Sequence, residues 1–155
     1  NNTINDLVKI NGIHVSLENT GIINREIDGL EDRIAKSFAL TVLIAEFLEK
    51  QKKVIGVNYP LLKSHGSYSQ HMKWIKYGPS VLTFTINCNR NEARTLMQES
   101  DLPYKTSFGS HESKLDPWPK YTKKVGTMCR LAIGHDDTFS DLKKKLTKLL
   151  HDVPQ

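Results

Sequence analysis

GTMCRLAIGHDD, residues 126–137, places one cation inside an apolar run. Apolar residues on both sides of Arg130 predict a buried strand over 127–133. Burying a guanidinium without a partner costs several kcal/mol, so the strand also predicts a negatively charged partner for Arg130. That partner is either a structural acid such as Glu112 or Asp136, or the carboxylate of a bound ligand.

The segments around this strand alternate between helical and strand patterns. Helices are predicted over 3–11, 17–28, 30–51, 66–75, 91–100 and 141–150. Strands are predicted over 54–57, 80–86, 102–107 and 127–133, with a loop containing Gly109, Pro117 and Pro119 before the last one. This order predicts an α/β fold in which helices cover a small mixed sheet.

The charge of the chain raises the possibility of nucleic-acid binding. Net charge is +5 over 155 residues, and a basic surface attracts nucleic acid. The densest basic run, 141–150, places its leucines on one helical stripe and its lysines on the opposite face. That pattern is typical of an amphipathic helix with a solvated face. Because no zinc-finger spacing, RNP-type strand or GXXG loop occurs, nucleic-acid binding is not the expected function.

Cysteine usage and hydropathy predict a cytoplasmic protein that does not span a membrane. No apolar run reaches the roughly 18 residues that a spanning helix needs, and the first ten residues lack a signal-peptide pattern. Cys88 and Cys129 form neither a CxxC pair nor a disulfide framework, which is typical of a reducing compartment.

Motifs for self-contained catalysis are missing from the sequence. Its six histidines include no HExxH and no i, i+4 pair, so no metal site is predicted. GxSxG, P-loop and GxGxxG motifs are also absent.

Two stretches could together bind a carboxylate. TSFGSHES, residues 106–113, places Ser107 at a predicted strand end and Gly109 where backbone N–H groups can be exposed. Arg130 lies on a second strand, and arginine is suited to bidentate carboxylate recognition. The residues alone leave open whether this is a carboxylate clamp or a structural ion pair.

Five segments, taken in order, resemble the C-terminal part of the Cys/Met-metabolism family of pyridoxal-phosphate (PLP) enzymes. The resemblance covers about residues 26–150, and SFGSHES is similar to the family pattern S-[LW]-G-x-x-E-S. The segments are DGLEDRIAKSFALTVLIAEFLEK (28–50), VNYPLLKSH (57–65), YGPSVLTFTI (77–86), SFGSHES (107–113) and CRLAIGHDDTFSDLKKKL (129–146).

The resemblance implies roles for individual residues. Arg130 matches the arginine that binds the substrate α-carboxylate, and Ser107 matches the serine beside that carboxylate. Thr106 matches a position near the substrate side chain that differs between activities. Glu112 and Ser113 match a pair that closes the turn, for which a structural role is expected. PLP is the implied cofactor of the intact enzyme.

The chain departs from the family in a way that predicts a fragment. The lysine that forms the Schiff base with PLP has no match, because Lys76 in IKYGPS falls in a later segment of the family pattern and no Gly-His follows it. Residues 1–29 are expected to be helices from the end of the large PLP-binding domain. Residues 30–155 are expected to be the C-terminal α/β domain, with a mostly antiparallel sheet of about four strands as in fold-type I PLP enzymes.

The resemblance implies that the parent protein is a homotetrameric PLP-dependent C–S lyase or γ-replacement enzyme of transsulfuration and methionine biosynthesis. Its substrate would be cystathionine or a related amino acid, bound through the carboxylate, and the fragment alone would be inactive. The alternatives are a stand-alone binding module without enzymatic activity and a basic nucleic-acid-binding domain.

Overall fold

The computed structural model describes residues 2–12, 15–117 and 126–154. These fall into two compact units, Asn1–Asp32 and Arg33–Gln155. The first unit contains helix α1, Asn2–Ile10, and helix α2, Leu17–Ile27. The long helix α3, Leu30–Glu49, belongs to the second unit from Arg33 onward.

The helices of the first unit expose much of their apolar surface. Ser16 caps α2, because its hydroxyl accepts a hydrogen bond of 3.1 Å from the Asn19 backbone N–H. No residue of α2 is buried. Over residues 2–12 and 15–27, the exposed large apolar side chains are Ile4, Leu7, Ile10, Val15, Leu17, Ile22, Ile23 and Ile27.

The second unit is built on a four-stranded antiparallel sheet. Its strands are β1, Val54–Asn58; β2, Val81–Ile86; β3, Lys114–Pro117; and β4, Thr127–Ala132. They lie in the order β1-β2-β4-β3, and each neighbouring pair is antiparallel. The register of β1 against β2 is irregular between Val54 and Gly56, as in a β-bulge. The predicted α/β fold with a mostly antiparallel sheet of four strands is confirmed.

Helices cover one face of this sheet. Besides α3, they are α5, Arg90–Gln98, and α6, Phe139–His151. The short helix α4, Tyr68–Trp74, buries none of its residues. The core is a single hydrophobic cluster, which combines Leu82 and Phe84 of β2 with Leu131 of β4, Ile44 of α3 and Leu146 of α6. Helix α6 buries Leu142, Leu146, Leu149 and Leu150, as its predicted amphipathic pattern requires. All six predicted helices are present, within a few residues of their expected bounds.

The predicted strand at 102–107 is wrong. Within that range, Tyr104 makes only an isolated parallel bridge to Leu115. The third strand in sequence order is instead β3, which includes Pro117 and lies in the segment expected to be a loop. Pairing with β4 makes this segment a strand, although its sequence KLDP has little intrinsic strand preference. Pro119, expected in the same loop, lies outside the described residues.

Candidate functional site

The sheet turns alternate residues of each strand to its two faces. In β4, Cys129 and Leu131 are buried in the core, and Arg130 lies between them on the opposite side. That opposite side, called the outer face here, also carries Thr83 of β2 and Asp116 of β3, which are the register partners of Arg130. Arg130 is therefore flanked by a hydroxyl on one neighbouring strand and by a carboxylate on the other.

Among the described residues, Asp116 and Thr106 contact the guanidinium of Arg130, whose side chain is 15% exposed. Its Nη2 lies 3.5 Å from Oδ2 of Asp116, whose side chain is 9% exposed. The same nitrogen donates to the backbone carbonyl of Thr106. A partly buried arginine is thus tied to a carboxylate across the ladder and to the loop that carries Ser107.

The acid beside Arg130 is neither of the two candidates from the sequence. Glu112 lies 3.7 Å from the ammonium of Lys105, and Asp136 lies 3.8 Å from the His135 ring. Asp116 takes this position because β3 pairs with β4 and brings the two residues opposite each other. The residue pair follows from the register of two strands, one of which the sequence had not indicated.

Ser107 is held in place by a lysine. Lys114 donates from Nζ to the hydroxyl oxygen of Ser107 over 2.9 Å, and Lys114 itself is only 9% exposed. Ser107 and Thr106 are both exposed. The structure therefore brings Thr106 and Arg130 into direct contact and connects Ser107 to the outer face through Lys114. Sequence reasoning missed Lys114 and Asp116, whose only signal was their spacing of two residues.

The turn between Ser107 and β3 is fixed by hydrogen bonds to the loop after β4. Asp137 accepts 2.6 Å from the backbone N–H of Ser113, and the Ser113 hydroxyl accepts 3.0 Å from the N–H of Gly134. A Cβ at Gly134 would collide with the backbone of His111 and Glu112. Ser113 is 1% exposed, and these contacts give it the structural role expected from the sequence.

Neither cysteine is suited to nucleophilic chemistry. Cys88 is 7% exposed and Cys129 is fully buried. Burial raises the pKa of the Cys88 thiol to about 11 and that of Cys129 well above its ordinary value. Since the thiolate is the reactive form, both side chains act as small core residues at neutral pH.

The described ranges support neither a metal site nor a membrane-spanning helix. Among these residues, no group of His, Cys, Asp and Glu side chains could hold a metal ion. Nor is any helix in this part of the chain long and apolar enough to cross a bilayer.

The fold is that of PLP enzymes of sulfur amino-acid metabolism. The structure superposes on O-acetylhomoserine sulfhydrylase from Wolinella succinogenes with a TM-score of 0.80 and 20% identity, covering 94% of this chain and 41% of that one. Residues 1–146 match the model of the Cys/Met metabolism PLP-dependent enzyme family. The chain belongs to that family.

Curated relatives agree with this assignment. The chain is 29% identical to cystathionine gamma-lyase of Bos taurus over 129 residues, which cover 75% of this chain and 32% of that protein. It is 27% identical to L-methionine gamma-lyase of Treponema denticola over 145 residues, or 83% of this chain and 36% of that protein. The chain thus spans about a third of the length of these relatives.

Three cations of the described residues are engaged by other groups of the chain. The ammonium of Lys76 lies 4.8 Å from the centre of the Tyr77 ring, and Lys53 donates to the backbone carbonyls of His151 and Val153. Arg130 contacts Asp116 and Thr106. None of these three contacts places an amine beside a phosphate-binding group.

Proposed function

We propose that this chain is the substrate-carboxylate-binding C-terminal part of a PLP-dependent transsulfuration enzyme. The enzyme would be a C–S lyase or synthase acting on cystathionine or a related amino acid. The observation that carries the proposal is the contact between Arg130, on the outer face of the sheet, and the Thr106–Ser107 segment. Family membership over residues 1–146 supports the same reading.

The site would bind a carboxylate through its geometry. Arginine presents a planar fork of donors that matches the two oxygens of a carboxylate. Its contact with Asp116, at 3.5 Å, is at the long limit of a hydrogen bond. A ligand carboxylate with better geometry can therefore compete for the guanidinium, while Asp116 and the Thr106 carbonyl keep Arg130 pointed at the loop. Ser107 would donate to the second carboxylate oxygen.

The remainder of the active site would come from residues that this chain does not supply. Residues 1–29 would belong to the end of the large domain and residues 30–155 would form the C-terminal domain, a division close to the boundary between the two compact units. In the homotetrameric intact enzyme, PLP would supply the electron sink for bond cleavage. Arg130, Ser107 and Thr106 would hold and orient the amino acid.

A binding experiment tests the role of Arg130. L-Homoserine is titrated into the chain while NMR follows the amides of Thr106 and Ser107. A parallel titration uses aminopropanol (3-amino-1-propanol), which is homoserine without the α-carboxylate. We expect saturable shifts with homoserine alone. Arg130→Lys keeps the charge but loses the fork, so the dissociation constant should rise about ten- to hundredfold.

Arg94→Lys is the matched control, because Arg94 is an exposed arginine on α5. Its dissociation constant for homoserine should equal that of the wild type. Equal shifts with aminopropanol, or unchanged affinity in a folded Arg130→Lys variant, would make Arg130 a structural ion-pair member and overturn the proposal.

A further inference from the structure

Lys114 is a lysine that the fold largely buries. It is 9% exposed, and lysine is almost never buried this far unless it is paired. Within the described residues its ammonium forms no ion pair, and its hydrogen-bond partner is the hydroxyl oxygen of Ser107, at 2.9 Å. Its position in the ladder is opposite Ala132, two residues before Asp116 on the same face of β3.

The chemistry of this contact fixes the role of the serine hydroxyl. An ammonium has three donors and no acceptor, so Ser107 must accept at this contact. Among the described residues, the Ser107 hydroxyl donates to no acceptor. Because Ser107 is exposed, its hydrogen is available to solvent or to a bound ligand, and donation from a cation to its oxygen polarises the hydroxyl.

The charges around Ser107 favour an anion as the acceptor of its hydroxyl hydrogen. Lys114 and Arg130 are two cations on the outer face beside the Thr106–Ser107 segment, and Asp116 is the carboxylate between them on the ladder. These three side chains carry one net positive charge. Because Lys114, Asp116 and Arg130 are all at least mostly buried, solvent screens this charge less than it would at the surface.

Resting on the function proposed above, we infer that Lys114 is a positioning residue of the carboxylate site, which holds Ser107 with its hydroxyl hydrogen directed to the ligand carboxylate. The carboxylate would then be bound by the Arg130 fork on one side and by an activated serine donor on the other. The occupant would be an amino acid with an α-carboxylate, as in the proposed function, and the second cation would raise its affinity through Ser107.

A double-mutant cycle between Lys114 and Ser107 tests this inference, with L-homoserine as the probe and NMR shifts of the Gly109 amide as the readout. Lys114→Met removes the ammonium and keeps an unbranched side chain. In the wild-type background it should raise the dissociation constant about tenfold, the effect of losing a charge-assisted hydrogen bond. In the Ser107→Ala background the same change should have no more than about a twofold effect, because the residue through which it acts is gone.

Two further variants keep the test decisive. Lys114→Gln retains an N–H donor without the charge, and it replaces Lys114→Met in the cycle if the methionine variant does not fold. Lys105→Met removes a lysine whose side chain is 61% exposed and which pairs with Glu112, and it should leave homoserine binding unchanged. With no ligand present, the NMR signal of the Lys114 ammonium should differ between the wild type and Ser107→Ala, and equal signals would show that the contact does not form in solution.

The outcomes separate this inference from the proposed function. Equal losses of affinity in both backgrounds would show that Lys114 acts through charge alone, and a lower melting temperature with unchanged affinity would show a structural role. Either result overturns the inference while the Arg130→Lys effect still stands. If Arg130→Lys also leaves binding unchanged, or if homoserine does not bind the wild type, the proposed function fails together with the inference.

Discussion

At the scale of the residue, three charged side chains on two strands determine the charge of the candidate site on the outer face of the sheet. Arg130 and Asp116 are register partners, and Lys114 lies two residues from Asp116. A sequence can reveal Arg130, because a cation in an apolar run stands out. It cannot reveal Lys114 and Asp116 in the same way, since their importance depends on a strand pairing that a one-residue slip would abolish.

Replacing Asp116 should affect stability and binding in opposite directions. Asp116→Asn leaves the mostly buried guanidinium of Arg130 without this anion, so the free energy of unfolding should fall by about 1–3 kcal/mol. Affinity for homoserine should rise, because asparagine keeps an oxygen acceptor for Arg130 while the like charge beside the ligand carboxylate has been removed. Urea unfolding and NMR titration measure the two effects.

Asp136→Asn is the control for this change. Asp136 is 70% exposed on its side chain and pairs with His135, so its loss should change neither quantity. An Asp116→Asn variant with unchanged unfolding free energy would show that the Arg130 contact contributes nothing to the fold.

The buried thiol of Cys88 predicts a loss of stability at alkaline pH. Its pKa is about 11 in the folded chain against an ordinary value of 9.0. The unfolded chain therefore loses this proton first, so the contribution of the thiol is complete below pH 9 and is lost as pH rises through about 11. Urea unfolding at pH values across this window should show a smaller decline in Cys88→Ala than in the wild type, and equal declines would contradict the prediction.

At the scale of the element, the helices follow from sequence and one strand does not. A helix with one buried face shows a 3.6-residue apolar period in its sequence, whatever it packs against. Helix α6 could therefore be predicted from its leucines alone. The third strand was misplaced because β3 holds two charged residues and ends at Pro117, a composition typical of loops. Its pairing with β4 and the contacts of Lys114 and Asp116 make it a strand.

The loop after β4 tests how the turn that carries Ser107 is held. Gly134→Ala would drive a Cβ into the backbone of residues 111–112, so we expect the free energy of unfolding to fall by about 1–3 kcal/mol. Homoserine affinity should fall as well, because the displaced turn leads to Ser107.

Gly66→Ala is the matched control, since a Cβ there meets no atom within 4 Å and the backbone needs no positive φ. Its stability should stay close to that of the wild type in the same urea titration. A Gly134→Ala variant as stable as Gly66→Ala would show that the turn can shift without cost.

At the scale of the whole molecule, the chain is a family member that spans about a third of the length of its curated relatives. Its second unit contains the sheet and the candidate site, and its first unit contains two helices with exposed apolar side chains. Sequence motifs sufficed to identify the family, because they occur in order along most of the chain. The motifs could not define the ion pair at Arg130, which depends on tertiary structure.

The purified chain should have no activity of its own toward cystathionine. The proposed function assigns the PLP site to residues outside this chain, so added PLP and cystathionine should yield no pyruvate, α-ketobutyrate or ammonia above a blank. Assays of these products, with a complete cystathionine lyase as the positive control, check the expectation. Turnover that co-purifies with the chain through successive columns would disprove it.

The order of the strands has a consequence for aggregation. β1 and β3 are the two outer strands of the sheet, and each is a poor template for a strand from another molecule. The irregular register between Val54 and Gly56 interrupts the regular ladder of β1. Strand β3 is only four residues long and ends at a proline, which has no N–H to donate. Natural proteins protect exposed sheet edges by these same means, so copies of this chain should resist joining into fibrils through this sheet.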